Sequence, residues 1–169
     1  MEHRLGGLFA GLVLLAGLGC TVNYSLGGGS IPASAKTLSV ASFTARAPLC
    51  PPGSALAITE AVRDLMQAQT PLNLVQGEGD IAYEGAITAY DVQPVAIQAN
   101  ETAALNRLTI TVGVHYINKA EPKASSEFTV SRFADYSSSQ DLSAVEATLV
   151  DEIAKQLAQD IFDRTLGNW

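Results

Sequence analysis

An α+β two-layer sandwich is the fold that the sequence predicts: a four-stranded sheet with two helices on one face, in the order β-α-β-β-β-α. Three observations predict it. Leu108 to Ile117 alternates aliphatic and polar residues without a break, three further segments carry strand patterning, and two carry apolar residues at helical spacing. Elements with one apolar face must bury it against one another, and both helices on one side of the sheet does so.

The central strand comes first. Leu108, Ile110, Val112, Val114 and Tyr116 share one face; Thr109, Thr111, Gly113, His115 and Ile117 share the other. Side chains of a strand alternate with period two, so this run is half-buried, aliphatic inside and Thr-rich outside. Ahead of it, Lys36 to Thr44 reads as the first strand, with Leu38 and Val40 alternating before Phe43. Pro48 to Gly53 breaks the chain. Ser54 can then cap a helix to about Gln69, with Leu56, Ala61, Val62, Leu65 and Met66 as its apolar positions, and Pro71 stops it. Gly77 to Asp80 turns the chain into the second strand, Ile81 to Val92, with Ile81, Tyr83, Gly85, Ile87 and Ala89 on one face. Pro94 makes the following Val95-Ala96-Ile97 either a bulged continuation or an edge.

Ser125 to Tyr136 is the fourth strand, and its Phe128 and Val130 match the aliphatic face of the third. The last helix has a capping box, Ser143 with Glu146, and a staple from Leu142 onto Ala147. Val145, Leu149, Ile153, Leu157 and Ile161 recur at i+4, giving a helix of about 22 residues, some 33 Å long. Asp151 with Lys155 and Asp160 with Arg164 are spaced as surface ion pairs, and Gly167 caps the end.

The short loop Asn118 to Pro122 makes the third and fourth strands an antiparallel hairpin. Matching their aliphatic faces sets Val112 opposite Val130 and Val114 opposite Phe128. The same register sets Arg107 opposite Asp135 on the Thr-rich face. The uncovered face then presents Thr109, Thr111, His115, Ile117, Thr129, Ser131 and Phe133, together with Ala82, Glu84, Thr88 and Tyr90. Hydroxyls mixed with aromatics suit a partner better than free solvent.

Residues 1–19 read as a signal peptide. Arg4 precedes the apolar run Leu8 to Leu18, which is too short to span a bilayer and ends in small residues. Cys20 follows at once, as in a bacterial lipobox, although Gly17 stands where such motifs usually carry Leu. The alternatives are an ordinary signal peptide that happens to contain a cysteine, or an uncleaved anchor. If Cys20 is acylated, two or three chains make a lasting anchor, at roughly 0.8 kcal/mol per buried methylene. Residues 20–35, with Gly27-Gly28-Gly29-Ser30, read as a tether, and 36–169 as one domain. Cys50 is then left alone, as a small buried hydrophobe or a loop residue.

Composition excludes several function classes. The chain has 169 residues and a formal net charge of −7, the wrong sign for neutralising phosphates, so nucleic-acid binding is not expected. Past the signal, His115 is the one histidine, and the sequence holds no G-x-S-x-G, no H-E-x-x-H and no Cys/His cluster at metal spacing. No catalytic residue, metal site or cofactor is assigned, and an enzyme is not expected.

Several stretches together resemble one family. They are Cys20 followed by Ser30-Ile31-Pro32 and Lys36-Thr37-Leu38-Ser39-Val40, the strand Asp80 to Gly85, and the run Asn100 to Leu108. Arg132-Phe133-Ala134-Asp135-Tyr136 and the terminal Asp160-Ile161-Phe162 and Asn168-Trp169 complete the set. The chain resembles LptE, the outer-membrane lipopolysaccharide-assembly lipoproteins, along essentially its whole length. The resemblance implies a two-layer fold and a lipid-anchored plug inside the large β-barrel LptD, which it helps to fold and through which lipopolysaccharide reaches the outer leaflet. It also implies lipopolysaccharide contact through basic residues. Arg107, Asp135, Phe133, Arg132, Lys119 and Lys123 are the candidates for contact with partner or lipopolysaccharide. Without Glu2 and Arg4 the mature chain keeps nine basic against sixteen acidic residues, which fits a plug better than a glycolipid carrier. A stand-alone periplasmic adaptor or binding lipoprotein is the rival reading.

Replacing the anchor cysteine tests the lipoprotein reading. Cys20→Ser is expected to leave the protein soluble or trapped as precursor. Firm membrane association of the processed variant, in a strain without the barrel, would refute it.

Overall fold

In the computed structural model, which describes residues 31–95 and 104–167, the strands are β1 (Thr37–Val40), β2 (Thr44–Ala45), β3 (Asn73–Leu74), β4 (Ile81–Val95), β5 (Leu105–Asn118) and β6 (Ser126–Ser137). The helices are α1 (Pro52–Gln69) and α2 (Leu142–Thr165). The signal, Cys20, the tether as far as Ser30, residues 96–103 and Asn168-Trp169 lie outside the described residues.

The sheet has six strands rather than four. Its order is β3-β1-β4-β5-β6, with β2 also on β4. The two additions are strands of two residues each, too short to show a period. β1 and β2 run parallel to β4, β3 runs parallel to β1, and β4-β5-β6 is an antiparallel meander. A parallel pair needs a crossover, and α1 supplies it between β1 and β4. Both helices lie on one face, where Leu38, Ile58, Val62, Tyr83, Ile110, Val112, Ile153 and Leu157 form the core.

Two breaks in strand phase correct the expected faces. The first strand is split, and strict alternation from Leu38 and Val40 would carry Ser42 inward. The jog between β1 and β2 turns Phe43 in instead, 4% exposed, with its N–H donated to Thr59 Oγ1 at 2.9 Å. Phe43 lies over Gly85, where an added Cβ would sit 2.3 Å from the ring, so a side chain there would displace the aromatic. In β4 the register shifts between Ile87 and Ala89, leaving Thr88 as a bulge. Tyr90, expected on the open face, therefore turns inward, and Ala89 turns out. Pro94 stays within β4 opposite Asn106. It is tolerated there because β1 and β2 end before this part of β4, whose second edge is free among the described residues.

The helix caps also differ. α1 begins with Pro52 in its first turn, a position where the missing N–H costs nothing; Ser54 lies inside the helix and is buried. Its buried face is Ala55, Ile58, Thr59, Val62 and Met66, while Leu56 is 61% exposed. The packing stripe is thus rotated away from the one expected. In α2 the Ser143–Glu146 box does not form, because the helix begins at Leu142 with Asp141 as its N-cap and Ser143 lies inside the first turn; Glu146 instead accepts the Tyr90 hydroxyl at 2.5 Å. Asp160 holds Arg132 of β6 rather than Arg164, which donates to the Thr129 carbonyl at 2.9 Å. Asp151 and Lys155 do pair, at 2.7 Å. Gly167 follows the capping residue Leu166 and donates to Phe162 O at 2.8 Å.

One polar clamp fixes where β1 meets β4. Asp80 Oδ2 accepts the amides of Lys36 and Thr37 at 2.9 Å each and the Thr37 hydroxyl at 2.8 Å. The Asp80 amide donates back to Thr37 Oγ1 at 2.9 Å. These donors, the Lys36 amide first, hold the Asp80 carboxyl below its ordinary range.

Two measurements check this account. Leu149→Ala and Ile153→Ala, at side chains 6% and 0% exposed, should each cost roughly 2–5 kcal/mol in chemical denaturation. A change under about 0.5 kcal/mol at both would mean that the stripe is not the buried face. The depressed Asp80 carboxyl contributes stability that is present above the unfolded carboxylate pKa of about 3.9 and lost as pH falls through its lower folded value. Asp80→Asn should therefore be less stable than the parent near neutral pH, with the difference shrinking on acidification; a pH-independent difference would deny the charge its role.

Candidate partner-binding face

The sheet face away from the helices is built by β4, β5 and β6 in register. Val112 pairs with Val130 and Val114 with Phe128, as their shared aliphatic face requires. Period-two alternation then places Thr109, Thr111 and Gly113 beside Phe133, Ser131 and Thr129 on the other face. Across β4, Ala86 meets Gly113 and Ala89 meets Thr111. The middle of the face is thus made of small residues and hydroxyls, with Thr111 Oγ1 and Ser131 Oγ 3.0 Å apart. Tyr90 is absent from it, for the reason given above.

At the end near the β4-β5 connection the face carries its one bidentate ion pair among the described residues. Arg107 lies opposite Asp135, with Nε donating to Oδ1 at 2.7 Å and Nη2 to Oδ2 at 2.8 Å. The guanidinium also stacks on Phe133, its Cζ 3.6 Å from the ring centroid. Arginine can do both at once because its planar fork matches a carboxylate edge-on while its face meets an aromatic. The hydrogen bonds raise the Arg107 pKa and hold the Asp135 carboxyl low. Arg107, Asp135 and Phe133 remain 37%, 30% and 46% exposed, so the cluster is stacked and paired yet open to contact.

The other candidates lie elsewhere. Arg132 is on the helix side of β6, bound to Asp160. Lys119 follows the opposite end of β5, roughly 40 Å from Arg107 by strand rise, and pairs with Glu78 at 2.8 Å. Lys123 is in the short 3-10 turn Pro122–Ala124. The six residues therefore do not come together; Arg107, Asp135 and Phe133 form one cluster.

At the far end of the face Glu84 and His115, both expected there, are joined in a row by Glu127, which sequence reasoning left out. Glu84, His115 and Glu127 are cross-strand neighbours, all exposed, around a hollow of about 420 Å³ that Thr44 and Arg46 also line. The Val114–Phe128 register implies the His115–Glu127 half of it. Among the described residues no group of three or more His, Cys, Asp or Glu is placed to hold a metal ion. Cys50 is half-buried, and burial pushes its thiol pKa up, away from the reactive thiolate. No helix among the described residues is long and apolar enough to cross a membrane.

A family model described as LptE, lipopolysaccharide-assembly, matches residues 35–165. The chain belongs to the LptE family. The match covers every strand and both helices of the fold. Among solved structures, this LptE-family chain is similar to the rare lipoprotein B of Shewanella oneidensis. The identity is 15%, 76% of this chain and 92% of that one are covered, and the TM-score is 0.50. It is also similar to a minor lipoprotein of Acinetobacter baumannii, at 17% identity over 79% of this chain and 98% of that one, with a TM-score of 0.45. No curated protein sequence matches it.

Proposed function

We propose that this chain is an outer-membrane lipoprotein that plugs, and helps assemble, an LptD-like β-barrel inserting lipopolysaccharide into the outer leaflet. The observation that carries the proposal is the LptE family match across the whole folded unit. Acyl chains on Cys20 anchor the protein, the glycine-rich tether gives it reach, and the folded unit seats inside the barrel from the periplasmic side. The open sheet face fits that role, since its small centre lets another surface approach closely.

Three of the candidate cations, Arg107, Arg132 and Lys119, already hold the carboxylates of Asp135, Asp160 and Glu78. Engaging lipid phosphates would cost these pairs, which favours a plug over a carrier. Co-purification tests the proposal: the full-length chain, co-expressed with the LptD of its own genome, should be recovered with the barrel. Recovery of the barrel without it would overturn the reading.

Arg107 gives a sharper test. In water the pair is screened and adds little to the fold. Against a barrel wall the same groups lose solvent, and removing the arginine leaves Asp135 as a buried, unpaired charge. Arg107→Ala should hardly move the thermal midpoint of the free chain while weakening the barrel complex. Equal losses in both would deny Arg107 a partner contact.

A further inference from the structure

We infer that the outer edge of β6 is a docking site for an extended segment of the partner protein, which adds to the sheet as a further strand. The inference rests on the barrel reading above and deepens it. β6 has twelve residues and pairs with β5 along their length without a register shift. Among the described residues no strand lies on its other side.

Backbone polarity along that edge follows from two contacts. The Ile110 carbonyl faces β6, where Ser131 Oγ reaches it at 3.4 Å, and the Thr129 carbonyl faces away, where Arg164 reaches it. In an antiparallel pair successive residues alternate between facing the partner strand and facing out. The N–H and C=O groups of Glu127, Thr129, Ser131, Phe133 and Asp135 therefore point outward. The Ser137 carbonyl, next in the row, is taken by the Gln140 amide. Beside the edge, α2 leaves a groove of about 600 Å³ lined by Thr129–Arg132, Asp160, Asp163, Arg164 and Gly167, room for the side chains of an added strand.

On the β6 edge two outward carbonyls are taken, Thr129 by Arg164 and Ser137 by Gln140, while the other free edges of this sheet are shorter or interrupted. β3 has only two residues, and beside it the Val40 carbonyl is capped by Arg63 Nη2 at 2.8 Å. The free part of β4 carries Pro94. β6 has no proline, lysine or bulge, and its protection is limited to the charges of Glu127, Arg132 and Asp135.

A row of outward amides and carbonyls on alternate residues is matched by one kind of ligand, an extended backbone. A second copy of this chain is disfavoured by its net charge of −7, which makes like copies repel. The wall strands of a closed barrel have no free edge. The added strand therefore comes from a loop or terminal segment of the partner, with Phe133, 46% exposed, as its apolar contact on the open side.

Amide hydrogen exchange on the full-length chain in detergent, alone and in the co-purified LptD complex, tests this. The amides of Ser131, Phe133 and Asp135 should exchange freely in the chain alone and at least tenfold more slowly in the complex. Those of Arg132 and Ala134 should be protected in both. Ser131→Pro removes an outward N–H without touching a backbone bond to β5, and should weaken barrel recovery about tenfold or more; Ser131→Ala, which loses the same hydroxyl and its contacts with Thr111 and Ile110, should not. A complex that forms with the outward amides unprotected, or that Ser131→Pro leaves unchanged, overturns strand addition and spares the barrel reading. If no complex forms, both fall. Outward amides protected in the free chain overturn the inference too, assigning the edge to a second copy if protection rises with concentration and to the chain's own tether if it does not. Should Ser131→Pro fail to fold, the exchange comparison on the unaltered chain still decides.

Discussion

Paired on both sides along nearly its full length, β5 constrains everything else in this molecule. Its inward residues, Leu108, Ile110, Val112 and Val114, are at most 1% exposed. A slip of one residue against either neighbour would turn that whole set outward and bring threonines into the core. The register of β6 on β5 is therefore decided by burial of aliphatic area, the largest favourable term available. The polar consequences, including Arg107 opposite Asp135 and His115 beside Glu127, follow without being selected by their own energies.

The helix layer is fitted to that sheet by two departures from regular pairing at one level, where α1 begins. The β1–β2 jog turns Phe43 over Gly85, and the Thr88 bulge turns Tyr90 toward α2. Each replaces a simpler local arrangement with a longer-range one. Thr59 satisfies the Phe43 amide from α1, and Glu146, in the second turn of α2, accepts the Tyr90 hydroxyl. Buried polar groups must be partnered, and no described buried side-chain nitrogen or oxygen is left without a partner. The Tyr90–Glu146 bond ties α2 to the sheet.

The functional reading draws on what this scaffold leaves unused. The helices cover one face, and the other offers small residues at its centre with the stacked Arg107–Phe133–Asp135 group near one end. The paired cation on that face, Arg107, is committed to Asp135. The long β6 edge belongs to the same surface, since its outward backbone groups come from the residues whose side chains lie on the open face. The proposed barrel partner, to which membership of the LptE family points, would meet both features.

The sequence by itself determined the α+β class, the two helices on one side, the central strand, the β5–β6 register and the Arg107–Asp135 opposition. Each of these follows from a period repeated over many residues, and one buried face fixes the phase of its neighbour. Tertiary structure alone decided the two-residue strands β2 and β3, the breaks at Phe43 and Thr88, the exposure of Leu56, and the partners of Glu146, Asp160 and Arg164. Two residues carry no period, and a single phase break looks locally like any other polar or small position. A charged side chain chooses among several partners only once distant elements are in place. The candidate site divided along the same line: Arg107, Phe133 and Asp135 shared a legible strand register, while Arg132, Lys119 and Lys123 were selected for charge alone and lie on the opposite face or at the far end of the sheet.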